Sequence, residues 1–225
     1  RGRQARLVVA YMAWNRARPV SRDELIELLW PREAPASPDD VLTALLSKIR
    51  AALGPGTLEG RRELMLAGSP WIDVEAAHAA LERAEAAYEA SDWAETCRAG
   101  HDGLDVTAAP FLLAHDHPWV EQRRRELEEL RLRTLERVGS AAPELGGSGI
   151  GAAERSGRAI VESAPFRESG HLLLMEALAA RGDVAEALRA YEDLRVRLRD
   201  ELGAIPGAAV RGLHERLLTA PDEPP

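Results

Sequence analysis

The stretch VLTALLSKIRAALG, residues 41–54, decides how the first third of this 225-residue chain is read. Its leucines and isoleucine would suit an ordinary core helix. Yet its polar residues, Thr43, Ser47, Lys48 and Arg50, include no acid, in a chain whose formal net charge is −8. Wound as a helix, Val41, Leu42, Leu45, Leu46, Ile49, Ala52 and Leu53 fall within one arc of about 140°. The opposite arc holds Thr43, Ala44, Ser47, Lys48, Arg50 and Ala51. Small residues let a helix approach a groove, hydroxyls bond phosphates or base edges, and Lys or Arg contacts phosphate or guanine. Alone, the pattern also fits a solvated packing helix, which is far commoner, although such faces usually mix both charge signs.

The flanks add two helices and a hairpin. Residues 4–15 place Leu7, Val8, Tyr11 and Met12 at helical spacing. After the break Ala17-Arg18-Pro19-Val20, Ser21 and Glu24 have the spacing of a capping box, which opens a second helix carrying Leu25, Ile26, Leu28 and Leu29. Pro31 stops it, and a proline-rich loop leads to Ser37 or Asp39, either of which can cap the helix of the opening stretch. Gly54-Pro55-Gly56 ends that helix. Residues 57–66, TLEGRRELML, then read as two short extended pieces around a Gly60-Arg61-Arg62 tip. A basic hairpin after a groove-facing helix is the layout of a winged helix-turn-helix.

NRARPVSRDELIELLWP followed by VLTALLSKIRAALG resembles the OmpR-type winged helix of the Streptomyces antibiotic regulatory proteins (SARP family). The resemblance makes residues 41–53 the recognition helix and puts Arg61 and Arg62 on the wing. The DNA-contacting set it implies is Thr43, Ala44, Ser47, Lys48, Arg50 and Ala51 with Arg61 and Arg62. The family's winged helix begins with a small β-sheet ahead of the first helix, which this sequence does not contain. Only two cations lie on the helix, and Asp39 and Asp40 at its entrance repel phosphate. A light or partner-assisted grip on DNA is the expectation.

From residue 71 onward the chain reads as helices, near 73–90, 92–104, 118–138, 148–163, 166–180, 183–199 and 206–218. Ile150, Ala153 and Ile160 recur as Val184, Ala187 and Leu194, each 34 residues on, the tetratricopeptide period. Asp92-Trp93-Ala94-Glu95 echoes Asp183-Val184-Ala185-Glu186, and both are Asp-x-x-Glu starts able to cap a helix. The RRRELEE run at 123–129 interleaves cation and acid, which marks a salt-bridged face rather than a nucleic-acid site. HPWVEQRRRELEELRLRTLERV, SAPFRESGHLLLMEALAARGD and the closing RGDVAEALRAYEDLRVRLRDELGAIPGAAVRGLHERLL resemble, in order, the bacterial transcriptional activation domain, the tetratricopeptide-like partner of this winged helix.

Charge supports two parts with different partners. Residues 1–70 hold eleven Lys/Arg against eight Asp/Glu, and the remainder carries a net −11. Six arginines precede the first acid, Asp23. One cysteine, Cys97, allows no internal disulfide and suits a reducing cytoplasm, and no apolar run reaches the roughly 20 residues of a membrane span. His115-Asp116-His117 with Cys97 and His101 fits no closed zinc spacing. Gly146-Gly147-Ser148-Gly149 lacks the Lys-Ser/Thr of a phosphate loop.

The expected fold is therefore mainly α: a winged helix-turn-helix without its leading sheet over 1–70, then an all-α tetratricopeptide-like repeat domain over 71–225. The expected function is a cytoplasmic DNA-binding transcriptional regulator, an activator, with no enzymatic activity, metal or cofactor. Its partners would be double-stranded DNA, RNA polymerase or other transcription proteins, and a second copy of itself, with no membrane. The rival expectation is a repeat-type interaction module whose winged helix only packs, as a piece of a larger regulator.

Overall fold

A computed structural model describes residues 2–219, which divide into two compact units. The first runs to Ala76 and takes in Ala109–Leu127; the second comprises Ala77–Ala108 and residues 128–219.

In the first unit, α1 (Arg3–Trp14), α2 (Arg22–Leu29) and α3 (Pro38–Leu53) pack on one another. The residues β1 (Val20–Ser21), β2 (Leu58–Glu59) and β3 (Glu63–Leu66) form a small antiparallel sheet of order β1-β3-β2. Each helix buries the stripe its spacing predicts: Leu7, Val8 and Met12 from α1, Leu25 and Leu28 from α2, Leu42, Leu46 and Ile49 from α3. Val20 and Leu64, paired across β1 and β3, complete this core from the sheet. The Ser21–Glu24 capping box forms in full, the Ser21 hydroxyl accepting from the Glu24 amide at 3.1 Å. Pro38 starts α3 without a side-chain cap from Ser37 or Asp39, and Gly54, at φ 97°, ends it.

This unit extends past the boundary expected at residue 70. Val120 is fully enclosed in the core of α1–α3, with Phe111, Leu112 and Trp119 packed beside it. Tyr11 and Trp119 rings lie 5.1 Å apart, and Trp14 and Phe111 rings 5.9 Å apart. The Arg124 guanidinium donates to the carbonyls of Phe111, Leu112 and His115 at 2.7–3.2 Å, which holds the 111–115 loop in place.

The second unit is helical throughout. It contains most of α4 (Asp73–Glu89), then α5 (Trp93–Thr107), the later turns of α6 (Pro118–Ala141), α7 (Gly149–Ser163), α8 (Glu168–Ala180), α9 (Val184–Arg197) and α10 (Ala208–Thr219). A π-helical stretch, Leu198–Leu202, continues α9. Helix α8 is its centre, packing on α7, α9 and α10 and burying Leu173, Leu174, Met175, Ala177 and Leu178. Gly157 lets α7 and α8 touch: a Cβ there would sit 2.8 Å from the Leu174 backbone nitrogen. Ala153 and Ile160 of α7 are buried, as are Ala187 and Leu194, 34 residues on in α9, so both helices use one pattern of core positions. Asp92 caps α5 by accepting from the Glu95 amide at 3.0 Å. Asp183 does not repeat that cap; its carboxylate pairs instead with Arg181, 3.0 Å away. Among the described residues no helix is long and apolar enough to cross a membrane.

Candidate nucleic-acid interface

Helix α3 turns one stripe outward while Leu42, Leu46 and Ile49 lock its other side into the core. That outward stripe is Thr43, Ala44, Ser47, Lys48 and Ala51, all exposed. Beside it, Arg61 and Arg62 are exposed at the tip of the β2–β3 hairpin. Seven of the eight residues expected from the sequence thus lie on open surface of α3 and the hairpin.

Arg50 does not. Its Nε donates to the Leu58 carbonyl at 3.1 Å and its terminal nitrogen to the Gly60 carbonyl at 2.7 Å. Its guanidinium thereby braces α3 to β2 and to the start of the hairpin tip. It leaves Lys48 as the unpaired cation of the outward stripe among the described residues. Lys48 is also the only lysine of the whole chain, every other cation being arginine.

Sequence reasoning missed Arg22. Its side chain ion-pairs with Asp39 at 2.8 Å, and donates to the Asp39 carbonyl at 2.9 Å and to the Thr43 hydroxyl oxygen at 2.8 Å. One of the two acids at the α3 entrance is therefore neutralised; Asp40 remains exposed. Accepting from Arg22 leaves the Thr43 hydroxyl its own O–H, a donor suited to a phosphate oxygen. The Arg22 amide also donates to the Arg62 carbonyl at 3.1 Å, anchoring β3 at the base of the tip. Arg22 and its partners Asp39, Thr43 and Arg62 are separated by 17 to 40 positions, with no motif connecting them.

The hairpin tip is conformationally determined. Gly60 has φ 91°, and a Cβ there would meet the Glu63 carbonyl oxygen at 1.8 Å, so only glycine fits.

The histidines and the cysteine weighed as metal ligands make hydrogen bonds within the fold. His115 bonds the Arg3 carbonyl at 2.8 Å, His117 Nδ1 accepts from the Trp119 amide at 3.1 Å, and His101 bonds the Cys97 carbonyl at 2.7 Å. Burial pushes the Cys97 thiol above its ordinary pKa, which favours the protonated form.

Comparison with known proteins places these features in a wider group. Residues 72–218 match the model of the bacterial transcriptional activator domain. The chain is 30% identical over 220 residues to regulatory protein AfsR of Streptomyces coelicolor, covering 96% of this chain and 22% of that protein. It is 30% identical over 239 residues to the transcriptional regulator RedD of the same organism, covering 97% of this chain and 65% of RedD. A solved structure of Mycobacterium tuberculosis EmbR in complex with a low-affinity phosphopeptide superposes with a TM-score of 0.86 at 26% identity, covering 97% of this chain and 59% of that one. The chain thus spans about a fifth of AfsR and under two thirds of the others.

Proposed function

Since the chain belongs to the bacterial transcriptional activator domain family, we propose that it is a SARP-type transcriptional activator that binds promoter DNA. In this reading the first unit is a winged helix-turn-helix, with α3 as its recognition helix and the β2–β3 hairpin as its wing. The tetratricopeptide-like helices serve dimerisation or contact with RNA polymerase. The carrying observation is the outward stripe of α3: Thr43, Ala44, Ser47, Lys48 and Ala51 are exposed, and Arg61 and Arg62 flank them. Small residues permit close approach, the hydroxyls of Thr43 and Ser47 suit phosphate or base edges, and three cations unpaired among the described residues suit the backbone. Regulators among the relatives, AfsR, RedD and EmbR, support the same reading.

Binding to random duplex DNA at several salt concentrations tests it. Three phosphate contacts give log K falling against log salt with a slope of about −3. Duplex DNA should also shield Lys48 from an amine-acylating reagent. Because Lys48 is the only lysine, intact mass reads that protection directly, apart from the N-terminal amine. Failure to bind even at low salt would sink the DNA reading.

A second reading has one observation in its favour: Arg50 is engaged internally, which leaves α3 a single free cation on its stripe. The first unit would then only pack, and the chain would be a protein-interaction module within a larger regulator. The same titration separates the two.

A further inference from the structure

Arg50 looks like a DNA contact by its place on α3, but its guanidinium is already bound. It holds two successive features of the hairpin, the Leu58 carbonyl on β2 and the Gly60 carbonyl at the start of the tip. The other strand is held independently, through the Arg22 amide on the Arg62 carbonyl and through the pairing of β1 with β3. Arg61 and Arg62 therefore hang between two anchored points, with Gly60 as the one residue able to make the turn between them.

We propose that Arg50 is a positioning residue of the interface: it touches no nucleic acid and acts on binding only by fixing where Arg61 and Arg62 stand. The inference rests on the DNA reading above for its functional consequence, but not for its structural one. A guanidinium is suited to this work because its planar fork bonds two carbonyls at once. An ammonium keeps the charge but offers no fork, so Arg50→Lys loses the brace while preserving the electrostatics. A phosphate contact would behave in the opposite way and tolerate lysine.

A double-mutant cycle on duplex DNA separates the two roles. In the otherwise native chain, Arg50→Lys is expected to weaken binding about tenfold. With Arg61→Gln and Arg62→Gln already present, the same change should have little further effect, because the groups Arg50 positions are gone. Equal costs in both backgrounds, or near-native binding by Arg50→Lys with a salt slope reduced by about one in Arg50→Gln, would overturn the proposal.

A second measurement needs no DNA. Trypsin cleaves after Arg61 and Arg62, so Arg50→Lys should speed cutting at the tip while the thermal transition of the chain stays cooperative. An unchanged rate at the tip would overturn the brace. If no variant binds DNA, the DNA reading falls, and the tip cleavage rate alone decides whether Arg50 positions the hairpin.

Discussion

Lys48 and Arg50 sit two residues apart on one helix and have opposite fates, and the reason marks the limit of sequence reading. A helical wheel shows that Lys48 faces outward, because exposure follows from the leucines on the other side. It cannot show that Arg50 is occupied, because its partners are main-chain carbonyls, which every residue carries. On the proposed DNA-binding function, Lys48→Gln is expected to lower affinity by a similar factor on every duplex and to flatten the salt dependence by about one unit of slope, measured by titration at several salt concentrations. A second single-residue expectation concerns His171, which is buried in α8 and bonds the Pro165 carbonyl at 3.1 Å. Desolvation by burial holds its pKa below the ordinary 6.5, outweighing the backbone hydrogen bonds that favour the cation, and the folded state thus favours the neutral ring. As pH falls below about 6.5 the unfolded chain takes up a proton that the folded chain refuses, so stability declines until the lowered folded pKa is reached. Thermal melts between pH 5 and 8 should show that decline, and His171→Asn should remove its share of it.

Individual elements were legible where one local interaction builds them. Ser21 and Glu24 close the capping box, and Asp92 caps α5, as short-range spacing implies. Asp183, with the same Asp-x-x-Glu spacing, pairs with Arg181 and makes no side-chain cap, so the spacing alone does not decide the cap. The 34-residue repeat was legible for a similar reason: Ala153 and Ala187 are both buried small residues at which helices pack. What spacing does not reveal is how near two helices come. Gly157→Ala should destabilise the chain by about 1–3 kcal/mol in urea denaturation, since its methyl would press on the Leu174 backbone. Gly151→Ala, in the same helix but facing only the end of the Arg155 side chain, should instead stabilise by about 0.5–1 kcal/mol. Between α6 and the start of α8, Arg167 holds Glu129 and Glu136, each at 2.7 Å. Burial alone would raise the Glu136 pKa, but hydrogen bonds from Arg167 and Ser169 bring it below the ordinary carboxylate value. Its stabilisation is complete above the unfolded pKa of 4.5 and is lost as pH falls through the lowered folded value.

At the scale of the molecule, the first unit is discontinuous. Its core is closed by Val120, with Trp119 and Phe111, residues that reach it after the chain has left for α4 and α5. Residues 1–76 alone would leave the Tyr11 and Trp14 rings without these partners. Such a fragment is expected to lose cooperative unfolding by circular dichroism, whereas the full chain keeps it. A compositional boundary near residue 70 was readable from charge, but charge describes surface and carries no record of which distant segment fills a core. The sequence by itself determined the helices, the basic hairpin, the outward stripe of α3 and the repeat period, because each depends on spacings shorter than a few turns or on internal similarity. Only the tertiary structure decided that Arg50 braces the hairpin, that Arg22 pairs with Asp39, and that residues 109–127 complete the first unit. Those contacts cross between separate elements, and their specificity lies in distance and direction rather than in residue type. The outward stripe of α3 is thus read from a wheel, but the two arginines that frame it are read only from the fold.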